Sequence, residues 1–325
     1  LHFFLLLHHE IVEPSGGNST VSPSSGYCTV NDQMVPFTYL YYLIFLIGIL
    51  GSSVALWAFT RNCKNKKCIN VYLINLLTSD FLLTLALPFK IAVDLGIAPW
   101  SLKIFHCQVS AVLIYVNVYA SILFLAFVSA DRYLQISQAS TLFRIQQVGF
   151  AKVMSAVVWG LVLFIMVPNM AIPIRSVKEK PLVTCAEFKQ EVGLHWHTLT
   201  NFLCLAIFVN ASAVILISNG CILRRLCQAQ EEGKHSTVKQ ALFNIEMVTA
   251  AYIVCFVPYH VVRTPYTFVQ NQVITDCSLR RRLFIAKEST LFLSVLNLCF
   301  DPILYFYLSR SFREKITEAF KPQKR

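Results

Sequence analysis

Residues 107–133 read CQVSAVLIYVNVYASILFLAFVSADRY, and between Lys103 and Asp131 there is no charged side chain. As an α-helix, the ~24 steps from Cys107 to Asp131 run roughly 36 Å at about 1.5 Å per residue. That length matches the hydrocarbon core of a bilayer with a little interface at each end. A cysteine stands at one end. At the other, Asp131, Arg132 and Tyr133 put an acid, a permanent cation and a phenol where apolar sequence gives way to polar. A buried helix of a soluble protein rarely runs this long without a charge. The stretch therefore reads as a membrane-spanning helix with an anchor at one end and an ionic device at the other.

Working outward, the same pattern recurs. Of 325 residues, 56% are hydrophobic and 14% charged, against about 25% charged in soluble domains. Uncharged runs cover 33–60, 104–130, 153–174 and 192–223. Three more runs are interrupted by single acids: 68–89 by Asp80, 240–262 by Glu246 and 289–309 by Asp301. Each is long enough to span, and far longer than the alternating segments of about ten residues that build membrane barrels. The fold class is an all-α membrane protein, a bundle of seven transmembrane helices. Expected helix limits are 36–59, 68–95, 149–170, 195–226, 237–269 and 283–308 around the helix already described. A short amphipathic helix follows, with Phe312, Ile316 and Phe320 at four-residue spacing. The domains are then a 1–35 tail, a 36–310 seven-helix bundle and a 311–325 helix and tail.

If the N-terminus is outside, the first inner loop holds Arg61, Lys64, Lys66 and Lys67, and most of the 28 basic residues fall inside. The net charge of +11 thus sits at membrane flanks, which excludes a nucleic acid polymer as the partner and makes membrane lipid one. The outer side is basic too. Residues 1–7 are too short, and lack the basic lead, for a signal-peptide core. Asn18-Ser19-Thr20 is a glycosylation sequon in a Ser/Gly/Pro-rich stretch, which fits an exposed extracellular tail. Cys28, Cys107, Cys185 and Cys277 fall on the oxidising side, where four cysteines allow three pairings.

Within the apolar runs a few polar groups recur at helical spacing. Asp80 is an acid in the second helix. Asn117 and Ser121 lie one turn apart on the third, as do Asn297 and Asp301 on the seventh. Intramembrane acids are costly and usually face a partner inside the bundle. Five such groups can hold a hard cation, or form a plain interhelical hydrogen-bond network. The residues alone leave both open.

Taken in order, the motifs resemble one family. Asp131-Arg132-Tyr133, Trp159 in the fourth helix, Cys255-Phe256-Val257-Pro258 in the sixth and Asp301-Pro302-Ile303-Leu304-Tyr305 in the seventh are similar to class A (rhodopsin-like) G-protein-coupled receptors. The likeness covers nearly all of 36–320. It implies a Cys107–Cys185 disulfide, with Cys28 and Cys277 left as a second outer pair. It implies an allosteric sodium ion at Asp80, Asn117, Ser121, Asn297 and Asp301, and no other cofactor. Asp131, Arg132, Tyr133 and Tyr305 are then the residues of G-protein coupling, with Arg132 held by Asp131 when inactive. His260, Arg263, Lys287-Glu288-Ser289-Thr290 and Asn210 resemble the purinergic-receptor branch, and stretches 37–39, 73–87, 98–107 and 255–263 carry that likeness too. The branch implies ligand contacts at Lys90, Tyr115, Phe256, His260, Arg263 and Lys287, and a heterotrimeric G protein of the inhibitory class. Departures from the class are Ser52, Ser218 and Tyr252, besides Phe256 for Trp and Asp301 for Asn; Ser218 replaces a tyrosine that supports the active state.

The outer mouth carries an argument of its own. Lys90, Arg263 and Lys287 stand near the outer ends of three helices, with Arg280, Arg281 and Arg282 as a rim. A cationic mouth attracts anions and speeds their arrival, and Arg and Lys pair naturally with phosphate or carboxylate. The ligand class is a nucleotide-like or other anionic small molecule, or an acidic-ended peptide. Against this, Arg263 and Lys287 can be paired internally with Glu288 or Asp276, and the triple arginine can be a solvated loop. A different class of function is an ion or solute transporter with Asp80 and Asp301 as a relay, which a vesicle flux assay separates from a plasma-membrane receptor. No nucleophile–base pair or metal cluster speaks for an enzyme; His195 and His197 read as interfacial.

Overall fold

The computed structural model describes residues 35–60, 67–137, 147–179, 184–231 and 235–319. Seven helices among them are long and apolar enough to cross a membrane. In chain order they are α1 (Val35–Thr60), α2 (Cys68–Asp94), α3 (Trp100–Ser137), α4 (Val148–Ala171), α5 (Glu191–Glu231), α6 (His235–Gln270) and α7 (Cys277–Leu308). A final helix, α8, runs Arg310–Ala319. Asn18 and Cys28 lie outside the described residues, as do Arg61, Lys64, Lys66 and Phe320.

The charge-free helix that opened the reading is the axle of the bundle. In α3, 72% of the apolar window is buried, against 22–56% in the other six spans. It packs on α2, α4, α5 and α6. Outward-facing positions are apolar instead of polar: Leu50, Phe164, Ile217 and Val261 are among the most exposed large side chains. That inversion is what helices bathed in lipid require. Glu246, whose orientation the sequence leaves open, lies on the exposed side of α6 and not in the bundle interior.

Three local features position the functional groups. First, α1 and α7 touch through glycines. A Cβ on Gly51 would stand 2.7 Å from Pro302 Cγ, and one on Gly48 would overlap Leu298 Cδ2; small residues let membrane helices approach this closely. Second, α7 is interrupted at Leu296, between segments Cys277–Val295 and Asn297–Leu308. Pro302 offers no N–H to its preceding turn, and its ring displaces that turn's carbonyl. The break turns Asn297 and Asp301 inward. Third, α3 widens to a π-turn at His106–Ser110, the turn that bears Cys107. There Ser110 Oγ donates to the Ala86 carbonyl of α2 at 2.8 Å. Trp159 Nε1 likewise ties α4 to Asn75 of α2 at 2.8 Å.

Helix limits depart from expectation mainly at the membrane surfaces, where polar sequence continues helically. α5 starts at Glu191 and α7 at Cys277, whose N-cap Asp276 accepts from Leu279 N at 2.7 Å. Arg280–Arg282 are therefore on the first turns of α7, not in a loop. After α7 the chain turns at Ser309, and Phe312 of α8 is buried against Phe59 and Tyr305, at ring distances of 5.5 and 6.1 Å.

Candidate functional site

The end of the bundle that carries the disulfide holds a cavity of ≈ 250 Å³. Cys107 and Cys185, 78 residues apart, are bonded there with Cα atoms 5.1 Å apart. This fastens the segment after α4 over the top of α3, and both cysteines line the cavity. Cys277 is also disulfide-bonded; its expected partner, Cys28, lies outside the described residues.

Of the six expected ligand contacts, Lys90, Tyr115, Arg263 and Lys287 line this cavity, whereas Phe256 and His260 do not. The three-residue spacing does put His260 on the face of Arg263, but one turn deeper, where aromatic rings fill the interior. The His260 ring stacks on Phe208 at 3.9 Å and meets Tyr119 and Tyr259 edge-on at 5.6 and 5.2 Å. Its Nδ1 pairs with the Phe256 carbonyl at 2.8 Å. Phe256 is fully buried against Tyr252 below it. These two residues lie in the packed layer below the cavity floor.

Arg263 is the central cation of the cavity. Its Nη2 donates to His197 Nε2 and to Asn201 Oδ1, each at 3.0 Å. Its guanidinium carbon lies 5.8 Å from the Tyr115 ring centre and 5.7 Å from that of Tyr266. All of these partners are neutral, and among the described residues no carboxylate is paired with Arg263. His197 and Asn201 are four apart on α5, and a polar pair at that spacing within an apolar run is the signal that marks them. His195, two residues earlier, points outward. Lys189, from the segment that Cys185 anchors, also lines the cavity and donates to Asn169 Oδ1 at 3.4 Å. Burial and the nearby Arg263 charge hold its ammonium pKa below the ordinary lysine value.

The opposite wall is charged but self-neutralised. Lys90 Nζ lies 3.0 Å from Asp94 Oδ2 and 3.4 Å from Glu288 Oε2. The other oxygen of Glu288 binds Lys287. The internal pairing weighed for Lys287 is thus the arrangement found, while Arg263 has no such partner. Arg280–Arg282 lie outside the cavity lining.

Beneath the floor, the five intramembrane polar residues are buried and gather with Ser79 and Tyr305. Asn117 Nδ2 donates to Asp80 Oδ1 at 3.3 Å, and Ser121 Oγ is 3.3 Å from Ser79 Oγ. Asn297 Nδ2 reaches Asp301 Oδ2 at 2.5 Å. Asp80 of α2 and Asp301 of α7 are both fully buried in this cluster. Tyr305, also expected to serve G-protein coupling, donates its hydroxyl to Asp80 Oδ2 at 2.6 Å. The oxygens Asn117 Oδ1, Asn297 Oδ1 and Asp301 Oδ1 have no hydrogen-bond partner.

At the far end of α3, Arg132 Nη2 donates to the Leu308 carbonyl at the end of α7, and Nη1 to Gln135 Oε1 at 3.4 Å. Asp131, expected to hold Arg132, accepts from Gln135 Nε2 at 2.5 Å. Tyr133 lies under Arg225 of α5, 6.0 Å from ring centre to guanidinium. The last carbonyls of α7 thus meet α3 through Arg132 and α6 through Asn244, which is 3.5 Å from the Tyr307 carbonyl.

Known proteins share this organisation. Residues 51–305 match the family described as 7 transmembrane receptor (rhodopsin family). The chain is 60% identical to G-protein coupled receptor 171 of Homo sapiens over 301 residues, covering 93% of this chain and 94% of that one. It is 37% identical to the purinoceptor numbered 14 of Bos taurus, over 91% and 89% of the two chains. It is 36% identical to the purinoceptor numbered 13 of Homo sapiens, over 86% and 80%. Each of these names denotes a receptor and none an enzyme or transporter. The spans, their motifs and these matches agree: the chain belongs to the rhodopsin family of seven-transmembrane receptors, and is a multi-pass membrane protein and not an enzyme.

Proposed function

We propose that this receptor sits in the plasma membrane with its N-terminus outside, binds a compact anionic ligand at Arg263, and activates a heterotrimeric G protein of the inhibitory class. The observation that carries the ligand class is the setting of Arg263: a buried cation, held only by neutral and aromatic groups, on the wall of a cavity. Among the described residues this charge has no counter-ion, and a ligand phosphate or carboxylate supplies one. The cavity is near the small end of ligand pockets, roughly 300–1,000 Å³, which favours a ligand with one acidic group over Arg263 and an apolar body against Tyr115 and Tyr266. Nucleotides, suggested by the purinoceptor relatives, and acidic-ended peptides both present such a group. The inhibitory class of G protein rests on the family likeness.

A screen of G-protein nucleotide exchange across nucleotides, other small organic anions and acidic-ended peptides identifies the agonist. With it, Arg263→Ala should lower potency roughly ten- to a hundred-fold, the worth of about 1.5–3 kcal/mol for one charge-assisted bond. Arg263→Lys should restore only part, because a point charge lacks the planar fork. Arg280→Ala, outside the cavity, should change mainly the association rate and its salt dependence. Unchanged potency in Arg263→Ala with a loss in Arg280→Ala would place the ligand on the outer surface and overturn the reading.

We also assign an allosteric sodium ion to the polar cluster under the floor. Hard oxygen donors suit that cation, and Asn117, Asn297 and Asp301 each offer an unpartnered buried oxygen there. Two carboxylates buried in one dry cluster repel each other unless a proton or a cation offsets their charge. Asp80 and Asp301 would hold the ion; its charge would offset theirs. Asp80→Asn should abolish the sodium dependence of agonist binding. Sodium titrations that shift the variant as they shift the parent would reject the site.

A further inference from the structure

We infer that Glu288 is a specificity-determining residue: its carboxylate occupies Lys90 and Lys287 together, and so closes the α2–α7 wall of the cavity to additional anionic groups of the ligand. This rests on the reading that Arg263 receives the ligand's anion. The cavity wall formed by α2 and α7 carries two lysines and two acids, Lys90, Lys287, Asp94 and Glu288. Each oxygen of Glu288 takes one lysine, Oε2 that of α2 at 3.4 Å and Oε1 that of α7. Asp94 holds Lys90 a second time at 3.0 Å. The lysine side chains are only 8% and 10% exposed and that of Glu288 19%. These pairs are therefore little screened by water, and a ligand must displace a buried carboxylate to engage either lysine.

The geometry makes the limit consequential. Lys287 Nζ lies 5.2 Å from the Tyr266 ring centre, and Arg263 lies 5.7 Å from the same centre. The same tyrosine ring is thus near both Arg263, which has no carboxylate partner among the described residues, and Lys287, which has one. A ligand with one acidic group is satisfied at Arg263. A second or third acidic group would extend past Tyr266 towards Lys287 and meet Glu288 already there. Repulsion by Glu288 then cancels the attraction of the two lysines, so added charge gains no affinity on that wall. Without the Glu288 charge, Lys287 becomes a second anion site beside the first, whereas Lys90 stays paired with Asp94.

The experiment uses purified full-length receptor in lipid nanodiscs and three inorganic probes of rising charge: phosphate, pyrophosphate and tripolyphosphate. Binding is read by calorimetry at fixed ionic strength. In the parent, affinity should rise less than about 3-fold per step along the series. In Glu288→Gln, pyrophosphate and tripolyphosphate should bind about 10-fold or more tighter than in the parent, the worth of one charge-assisted bond, with phosphate changed less than about 3-fold. The double variant Lys287→Gln/Glu288→Gln should return to the flat series. A parent that already gains 10-fold from phosphate to pyrophosphate overturns the inference, even if Glu288→Gln does not fold. So does a Glu288→Gln series as flat as the parent's, or a steep series that survives in the double variant. Arg263→Gln separates the two readings. Loss of phosphate binding there with a flat Glu288→Gln series sinks only the role of Glu288, whereas unchanged phosphate binding sinks the Arg263 site itself.

Discussion

Replacing Arg132 with alanine should abolish receptor-stimulated nucleotide exchange on the G protein while the receptor still reaches the cell surface. The two halves of that expectation come from one set of contacts. Arg132 is held at the end of α3 by a carbonyl of α7 and an amide of Gln135, both neutral, and its Nε has no partner. Asp131 is satisfied separately by Gln135. A cation anchored to neutral acceptors costs less to release than one in a buried ion pair, whose rupture costs about 3–5 kcal/mol. Release of Arg132 from the α7 carbonyl therefore breaks no ion pair among the described residues, as its proposed role in G-protein coupling requires. Truncating Arg132 breaks none there either, and Asp131 keeps its bond from Gln135, so folding should survive. Arg132→Lys should recover little, because its ammonium cannot engage two acceptors as a planar fork does. Guanine-nucleotide exchange with purified G protein, alongside surface labelling of intact cells, measures both effects. Exchange equal to the parent's would contradict the assigned role.

Breaking the Cys107–Cys185 bond should cost the receptor both stability and ligand response. For a free chain, a closed loop of this length corresponds to about 4–5 kcal/mol of lost loop entropy in the unfolded state. In a bilayer α3 and α4 stay helical when tertiary packing is lost, so the measured cost should be smaller, about 2 kcal/mol or more. The functional cost is more direct. The bond anchors the segment that carries Lys189 and Thr184 to the cavity wall, so its loss removes one of the cations beside Arg263. Cys107→Ser should lower the thermal midpoint of the purified receptor and its agonist potency at least ten-fold. The pair Cys107→Ser/Cys185→Ser should match the single variants, since both remove the same bond. A single variant with parental melting and potency would show that the segment holds its place without the bond.

The amino-acid sequence by itself determined the number of spans, their order and the identity of the chemistry-bearing residues. These follow from one-dimensional facts: a helix needs about twenty apolar residues to cross lipid, and a lone acid in such a run has to find company inside the bundle. Asp80, Asn117, Ser121, Asn297 and Asp301 were legible for that reason, and the fold brings them together. What only the tertiary structure decided is who faces whom. Lys90, Arg263 and Lys287 look alike in the sequence, three cations near the outer ends of three helices. They differ because Glu288 reaches two of them, while α5 offers Arg263 only His197 and Asn201. His260 shares a face with Arg263, but rings from α3, α5 and α6 close over it. Arg132 lies next to Asp131 in the chain, yet it donates to the end of α7. Helical periodicity sets the direction in which a side chain leaves its own helix. Whether that direction meets a carboxylate, a ring or open space is set by the helices packed opposite, which are remote in the chain.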